Sequence, residues 1–384
     1  MGILQGLKVL DFSTLLPGPF ATLMLADMGA DVIHVESPTR VDMVRTMEPV
    51  DEEGISAAHR HLNRSKKSLA LDLKDAESIN VIHSLLHEYD IVIEQFRPDV
   101  MARLGLDYES LKKIKPNLIY CSITGYGQTG PFANRAGHDT NYLSISGVMD
   151  YSRRKGERPP VLGVQVADIA GGSLHSVIGI LAAVYHREKT GEGQCIDISM
   201  TDASFSLNAL FGSGYLAHGV EPQTENLMLN GGEFYDYYET KDGRYFSVGS
   251  LEPSFRKMLC ESLGAIELIG MAFSEKQEDK VKFKEEVTTR FLTKDFHEWL
   301  EIFNDEFDGC VEPVLTFAEA TEHPQIRSRE MIVEVPNGNG TIQKQIAFPI
   351  KFSTNPAVYR ETGGPLGEHN EILLSKYGNS KNLV

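Results

Sequence analysis

The sequence predicts an α/β protein, a parallel sheet covered by helices on both faces, followed by a smaller α+β domain. Over the first 123 residues, short apolar runs of strand character alternate with stretches of helical periodicity, as βαβ units require. Beyond residue 231 the texture changes to aromatic strand runs within "EFYDYYETKDGRYFSVGS", joined by Lys241-Asp242-Gly243. Asp-Gly between such runs signals a hairpin. A chain of 384 residues is also long enough for more than one core.

Strands are expected at 7–13, 31–37, 68–73, 90–96, 117–123 and 194–200, each a compact apolar run. Helices are expected at 18–30, 75–88 and 98–114, with a long apolar helix from Gly171 to a Gly-rich stop. A further helix at 201–219, which Thr201 or Asp202 can cap, leaves this first unit. The charged stretch 38–67 lacks strand periodicity and reads as a surface excursion; acidic helices follow the hairpin at 253–264 and 280–304, and the tail from about 330 reads as strand-poor and loop-rich. The expected division is a large domain over 1–200, a linker over 201–230, a small domain over 231–330 and a C-terminal segment, 331–384, returning to the large domain.

With 37 basic and 54 acidic residues the net charge is 37 − 54 = −17. Such a chain lacks the dense positive charge that nucleic-acid backbones demand, and anionic membrane surfaces repel it. No run approaches the ~18 apolar residues of a spanning helix. The start, "MGILQGLKVLDFS", enters a strand directly without a targeting pattern, so a cytoplasmic location is expected. Cys121, Cys195, Cys260 and Cys310 are widely spaced and are expected to be reduced and mostly buried.

"GYGQTGPFANRAGHD" (125–139) fits G-x-G-x-x-G at Gly125, Gly127 and Gly130. A dinucleotide cradle needs its third glycine in the first turn of a helix, but Pro131 follows Gly130 and no helical periodicity resumes before His138. The stretch therefore reads as a glycine-rich loop at the carboxyl end of a strand, where open α/β sheets bind ligands. His138 lies in that loop among small and polar residues and reads either as a surface histidine or as a general base. Asp168 precedes the long apolar helix, where a carboxylate meets unpaired N–H groups; it reads as an N-cap or as a reacting group. Gly171 and Gly172 would let a ligand approach those N–H groups. Glu252 stands between a strand and a Pro-started helix and reads as a helix-terminal charge or a site residue. Arg40, Arg45, Arg64, Lys66, Lys67, Arg97 and Arg103 gather in the first hundred residues, a local basic patch suited to a phosphorylated small ligand.

These pieces together resemble the family III CoA-transferase and α-methylacyl-CoA racemase superfamily. The likeness runs through "GLKVLDFS", "PGPFATLMLADMGADVI", "KKSLALDLK", "RPDVMARLGL", "LIYCSITGYGQTGP", "AGHDTNYL", "VADIAGGS", "GILAAVYHREKTGEGQCIDISM" and "DGRYFSVGSLEPSF". The resemblance implies a Rossmann-like large domain, a small domain and an interlocked homodimer, with no metal or redox cofactor. It is closest to the racemase branch, which carries the histidine, the helix-start aspartate and the glutamate that stand here as His138, Asp168 and Glu252. It implies that His138, supported by Glu252, serves one face of an acyl-CoA α-carbon and Asp168 the other, with helix N–H groups holding an enolate oxygen. CoA contacts are implied for Ala70, Leu71, Asp72 and Leu73, for Arg97 and Arg103, and for Gly137, Asp139, Thr140, Asn141 and Tyr142. Arg40 stands in for an arginine that the family often places directly after the acidic residue ending the second strand, where Ser37 follows Glu36 here, and Asn230 replaces an aspartate in "LMLNGG". The alternative within the resemblance is a CoA-transferase using Asp168 as nucleophile.

Overall fold

The computed structural model describes residues 2–378 and divides into two compact units. The first comprises 1–146, 162–207 and 324–384; the second comprises 147–161 and 208–323. Residues 147–161, assigned from sequence to the large domain, thus group with the second unit.

The first unit is built on a six-stranded parallel sheet of β1 (Lys8–Asp11), β2 (Asp31–Glu36), β3 (Lys66–Ala70), β4 (Ile91–Glu94), β5 (Ile119–Thr124) and β6 (Gln194–Ser199), in the order β3-β2-β1-β4-β5-β6. This is the doubly wound order, with its switch point between β1 and β4. The strands were legible as apolar runs because the central ones are covered on both faces: Val9, Leu10, Ile91, Val92 and Ile93 are fully buried. The expected helix at 98–114 is two short helices, Val100–Arg103 and Tyr108–Leu111, because Gly105 turns into the left-handed region at φ +69°.

The charged stretch 38–67 is a surface excursion only in its first part: residues 46–54 are exposed, but Arg45 and most of the stretch from Ile55 onward turn into the fold. Arg45 makes a bidentate pair with Glu36 at 2.7 Å and 2.7 Å, and Arg64 grips Asp27 with Nε at 2.8 Å and Nη2 at 2.5 Å. Lys66 reaches the Asp11 carboxylate at 3.4 Å, and Lys67 pairs with Asp31 at 2.7 Å. Arg45, Arg64 and Lys66 are buried, so most of the apparent basic patch is internal neutralisation of strand-end and helix-end acids.

The tail is not strand-poor: β10 (Ile332–Pro336) and β11 (Ile342–Ile346) form an antiparallel pair. Its strand signal is weak because polar residues face both ways. Further along, the tail runs beside the outer edge of β3. The Ala70 N–H donates to Asn370 Oδ1 at 2.8 Å, Asn370 Nδ2 donates to the Ala70 carbonyl at 3.1 Å, and the His369 N–H donates to the Ser68 carbonyl at 3.1 Å.

Contrary to expectation, one helical run, 167–190, is long and apolar enough to cross a membrane. Its buried face packs on β5, β6 and the helix Pro17–Asp27, which accounts for part of that composition, while Leu174, Ile178 and Tyr185 lie exposed along the run. Cys195 and Cys310 are exposed while Cys121 and Cys260 are buried, a more even split than expected; all four are free.

The second unit carries a three-stranded antiparallel sheet, β7 (Asp236–Glu239), β8 (Tyr245–Val248) and β9 (Val311–Pro313), over an aromatic core of Phe246, Phe291, Trp299 and Phe303. The hairpin turn holds Gly243 at φ +78°. The expected helix 280–304 is two, Gln277–Phe291 and Phe296–Ile302, because Asp295 and Glu298 form a capping box that starts the second.

Candidate active site

Three loops meet in the first unit at the carboxyl ends of β1, β4 and β5, beside the switch point, and enclose a cavity of about 420 Å³. Leu15 and Pro17 line it after β1, Gln95, Phe96 and Arg97 after β4, and residues from Ile123 to Tyr142 after β5. Asp168 and Met200 complete the lining.

The 125–138 loop is shaped by its glycines for packing. A Cβ at Gly137 would stand 2.7 Å from Tyr142 Cε1 and 2.8 Å from the Tyr126 hydroxyl, so only glycine admits both rings. Those rings meet edge to face at 5.2 Å. Gly127 and Gly130 hold φ values of +83° and +90°, and no helix begins until Asp139. The three glycines therefore build a loop rather than a dinucleotide cradle. His138 is the exposed N-cap of the helix Asp139–Ile145, and its N–H donates to Asn141 Oδ1 at 3.0 Å, which fixes the backbone beneath the imidazole.

Asp168 is not an N-cap. The helix starts before it and enters the regular helix His175–Thr190 through wider π-helical turns over Ala167–Leu174. The capping role belongs to Asp139, whose carboxylate accepts the N–H groups of Ala167 at 2.7 Å and Asp168 at 3.1 Å. The Ile169 N–H goes to the Gln165 carbonyl at 2.9 Å. The donors expected to form an oxyanion hole are thus already accepted within the fold. Gly171 and Gly172 are buried, and they serve close packing rather than ligand approach: a Cβ at Gly172 would lie 2.9 Å from Pro17 Cβ. The absence of side chains there lets the wide turns settle against Pro17 and Met200. Such turns recur at functional sites.

The Asp168 carboxyl is pushed up to about 6, first by burial, then by the neighbouring Asp139 charge, with His138 pulling back in the opposite direction. Raised into that range, it can both accept and release a proton near neutral pH.

Of the residues singled out from sequence, the cavity brings together Arg97, Gly137, His138, Asn141, Tyr142 and Asp168. Asp139 lies behind it as the cap. Arg40, Arg103 and Thr140 are exposed away from the lining, Leu71 is a core residue, and Ala70 has its backbone paired with Asn370. Asp72 and Leu73 follow β3 and do not reach the cavity; Asp72 accepts the Lys74 N–H at 3.1 Å. Glu252 belongs to the second unit, exposed at the start of the helix Pro253–Ser262 and making no side-chain cap to it. Sequence reasoning missed Gln95 and Phe96, which strand order would have pointed to because they directly follow β4, and Arg135, which lies deep in the loop after β5 with no local signal. Among the described residues no group of three or more His, Cys, Asp or Glu is arranged to hold a metal ion.

Residues 4–370 match the family model described as CoA-transferase family III. The human protein "Alpha-methylacyl-CoA racemase" is 35% identical, aligned over 99% of this chain and 95% of that protein. The Agrobacterium fabrum protein "Succinate--glutarate CoA-transferase" is also 35% identical, over 97% of this chain and 95% of its own length. The crystal structure of a CAIB/BAIF family protein from Brucella suis superposes with a TM-score of 0.84 at 32% identity, covering 98% of this chain and 100% of that one. A doubly wound sheet with a switch-point cavity holding a histidine and a raised carboxyl, matched from end to end by these proteins, makes the chain a member of CoA-transferase family III.

Proposed function

We propose that the chain interconverts (R)- and (S)-2-methylacyl-CoA thioesters by removing and returning the proton next to the thioester carbonyl. The observation that carries the reading is the presence of His138 and Asp168 in one cavity, with the Asp168 carboxyl raised to about 6. Inversion needs one group to take the α-proton from one face and a second to deliver a proton to the other. A carboxyl raised to about 6 and an imidazole facing the same cavity exchange these roles with reaction direction. The thioester lowers the acidity barrier by delocalising the carbanion as an enolate, so no further electron sink is required. Arg97, Asn141 and Tyr142 would hold the CoA portion at the same cavity.

The experiment is deuterium exchange. In deuterium oxide, the protein is expected to place deuterium at the α-carbon of a 2-methylacyl-CoA with no free acid added. No exchange across a range of branched acyl-CoA esters overturns the reading. A CoA-transferase at equal identity favours one other reading, in which the Asp168 carboxylate attacks the thioester, expelling CoA thiolate to leave a mixed anhydride. The thiolate then attacks the aspartyl carbonyl, releasing the acid and leaving an aspartyl-CoA thioester. A CoA adduct on Asp168 by mass spectrometry, with transfer to added acid, establishes that course instead.

We propose in addition that the chain works as an intertwined homodimer. Leu174, Ile178 and Tyr185 follow one side of the long helix at 36%, 64% and 68% exposure, an apolar strip that a monomer would leave in water. Sedimentation equilibrium is expected to give twice the chain mass at micromolar concentration; a single-chain mass overturns the proposal.

A further inference from the structure

We infer that Arg135, acting with Arg97, forms a two-guanidinium subsite for an anionic group of the bound thioester. The inference rests on the acyl-CoA reading and extends it to a residue outside the implied CoA contacts. Both side chains line the cavity that contains His138 and Asp168. They arrive on separate loops, one after β4 and one after β5, strands that are parallel neighbours.

Their charges are not taken up by the fold, as is also true of the exposed Arg40 and Arg103, but of these four only Arg97 and Arg135 line the cavity. Arg45, Arg64, Lys66 and Lys67 are each consumed by a carboxylate of the fold. Among the described residues Arg97 and Arg135 have no ion-pair partner, although the chain carries 54 acidic residues. Two cations facing one cavity repel each other until an anion enters between them.

Both loops are anchored. The Arg135 guanidinium lies 4.5 Å from the Phe132 ring centroid, and that ring packs edge to face on Tyr126 at 5.6 Å. The Arg135 N–H also donates to the Phe132 carbonyl at 2.8 Å. Before Arg97, the Phe96 N–H donates to the buried Glu94 carboxylate at 2.7 Å, and Pro98 stiffens the other side. A guanidinium held by stacking loses little freedom when it binds, and its planar fork fits the paired oxygens of phosphate or carboxylate.

Two sources supply such oxygens: the phosphates of CoA, and a free carboxylate at the far end of a dicarboxylic acyl chain. The test uses Arg135→Gln in the full-length protein, with calorimetric binding of CoA, pantetheine, succinyl-CoA and butyryl-CoA. If phosphate is the partner, CoA and both its thioesters weaken about ten- to hundredfold while pantetheine is unchanged. If the carboxylate is the partner, CoA and butyryl-CoA are unchanged and succinyl-CoA alone weakens by that factor. Arg135→Lys is expected to recover part of either loss, since it keeps the charge without the fork. Binding of all four ligands equal to wild type overturns the subsite and leaves the acyl-CoA reading standing. A wild-type protein that binds none of the four overturns both, through the acyl-CoA reading.

Discussion

Asp168→Asn is expected to slow α-hydrogen exchange by about 10²- to 10⁴-fold, the usual worth of a positioned proton-transfer group, while raising the temperature of unfolding. The second effect follows from the direction of the pKa shift. The folded-state value, about 6, lies above the ordinary value of 3.8. Between those values the folded state binds a proton that the unfolded state has released, so the contribution to stability is complete below pH 3.8 and is lost as pH rises through about 6. At neutral pH the fold holds a charge it would be more stable without, and asparagine removes it. Differential scanning calorimetry beside the exchange assay checks the pair; a variant that loses activity and also melts earlier would make Asp168 a structural residue. Both reaction directions should show the same pH dependence, because each uses the pair with one transferable proton between Asp168 and His138 and the equilibrium between the two enantiomers is independent of pH.

Arg64→Met is expected to destabilise the protein by about 3–5 kcal/mol, the cost of leaving one member of a buried pair alone. Arg64 and Asp27 have side chains only 1% exposed, and Arg64 further donates to the Gln345 side chain at 3.1 Å and the Ile346 carbonyl at 2.7 Å. Burial already pushes the Asp27 carboxyl upward against the pull of Arg64. Without the arginine, the deficit should shrink as pH falls, because a protonated Asp27 carries no buried charge. Adding Asp27→Leu should recover much of the loss, though not the two acceptors in β11. Urea unfolding at two pH values measures all of this. A single variant as stable as wild type would show that Arg64 is not what holds the first unit to its C-terminal segment.

The sequence was most informative where one residue's surroundings are set by its near neighbours. Strands buried on both faces read as apolar runs, and Asp242-Gly243 marked the hairpin before any pairing was known. Reading failed where the partner is distant in the chain. Arg45, Arg64 and Lys66 read as solvated because Glu36, Asp27 and Asp11, which neutralise them, stand on other elements whose proximity depends on strand order. The start of the long helix was placed at Gly171 because its cap, Asp139, lies 28 residues upstream of Ala167. His138 and Asp168 stood out as polar residues in small or apolar company. Arg135 did not, since nothing local distinguishes an arginine awaiting an anion from an ordinary surface one.

The covering of β3 by His369 and Asn370 bears on how the protein is made. A ribosome releases the first six strands long before it reaches residue 369, and the whole second unit is synthesised in between. Until then the nascent sheet presents an open row of donors and acceptors at β3, and Arg64 has yet to meet β11. The newborn chain is thus a half-finished molecule with a bare strand exposed to its neighbours on the polysome. Truncation near the C-terminus is therefore a defect in assembly rather than a trimmed end.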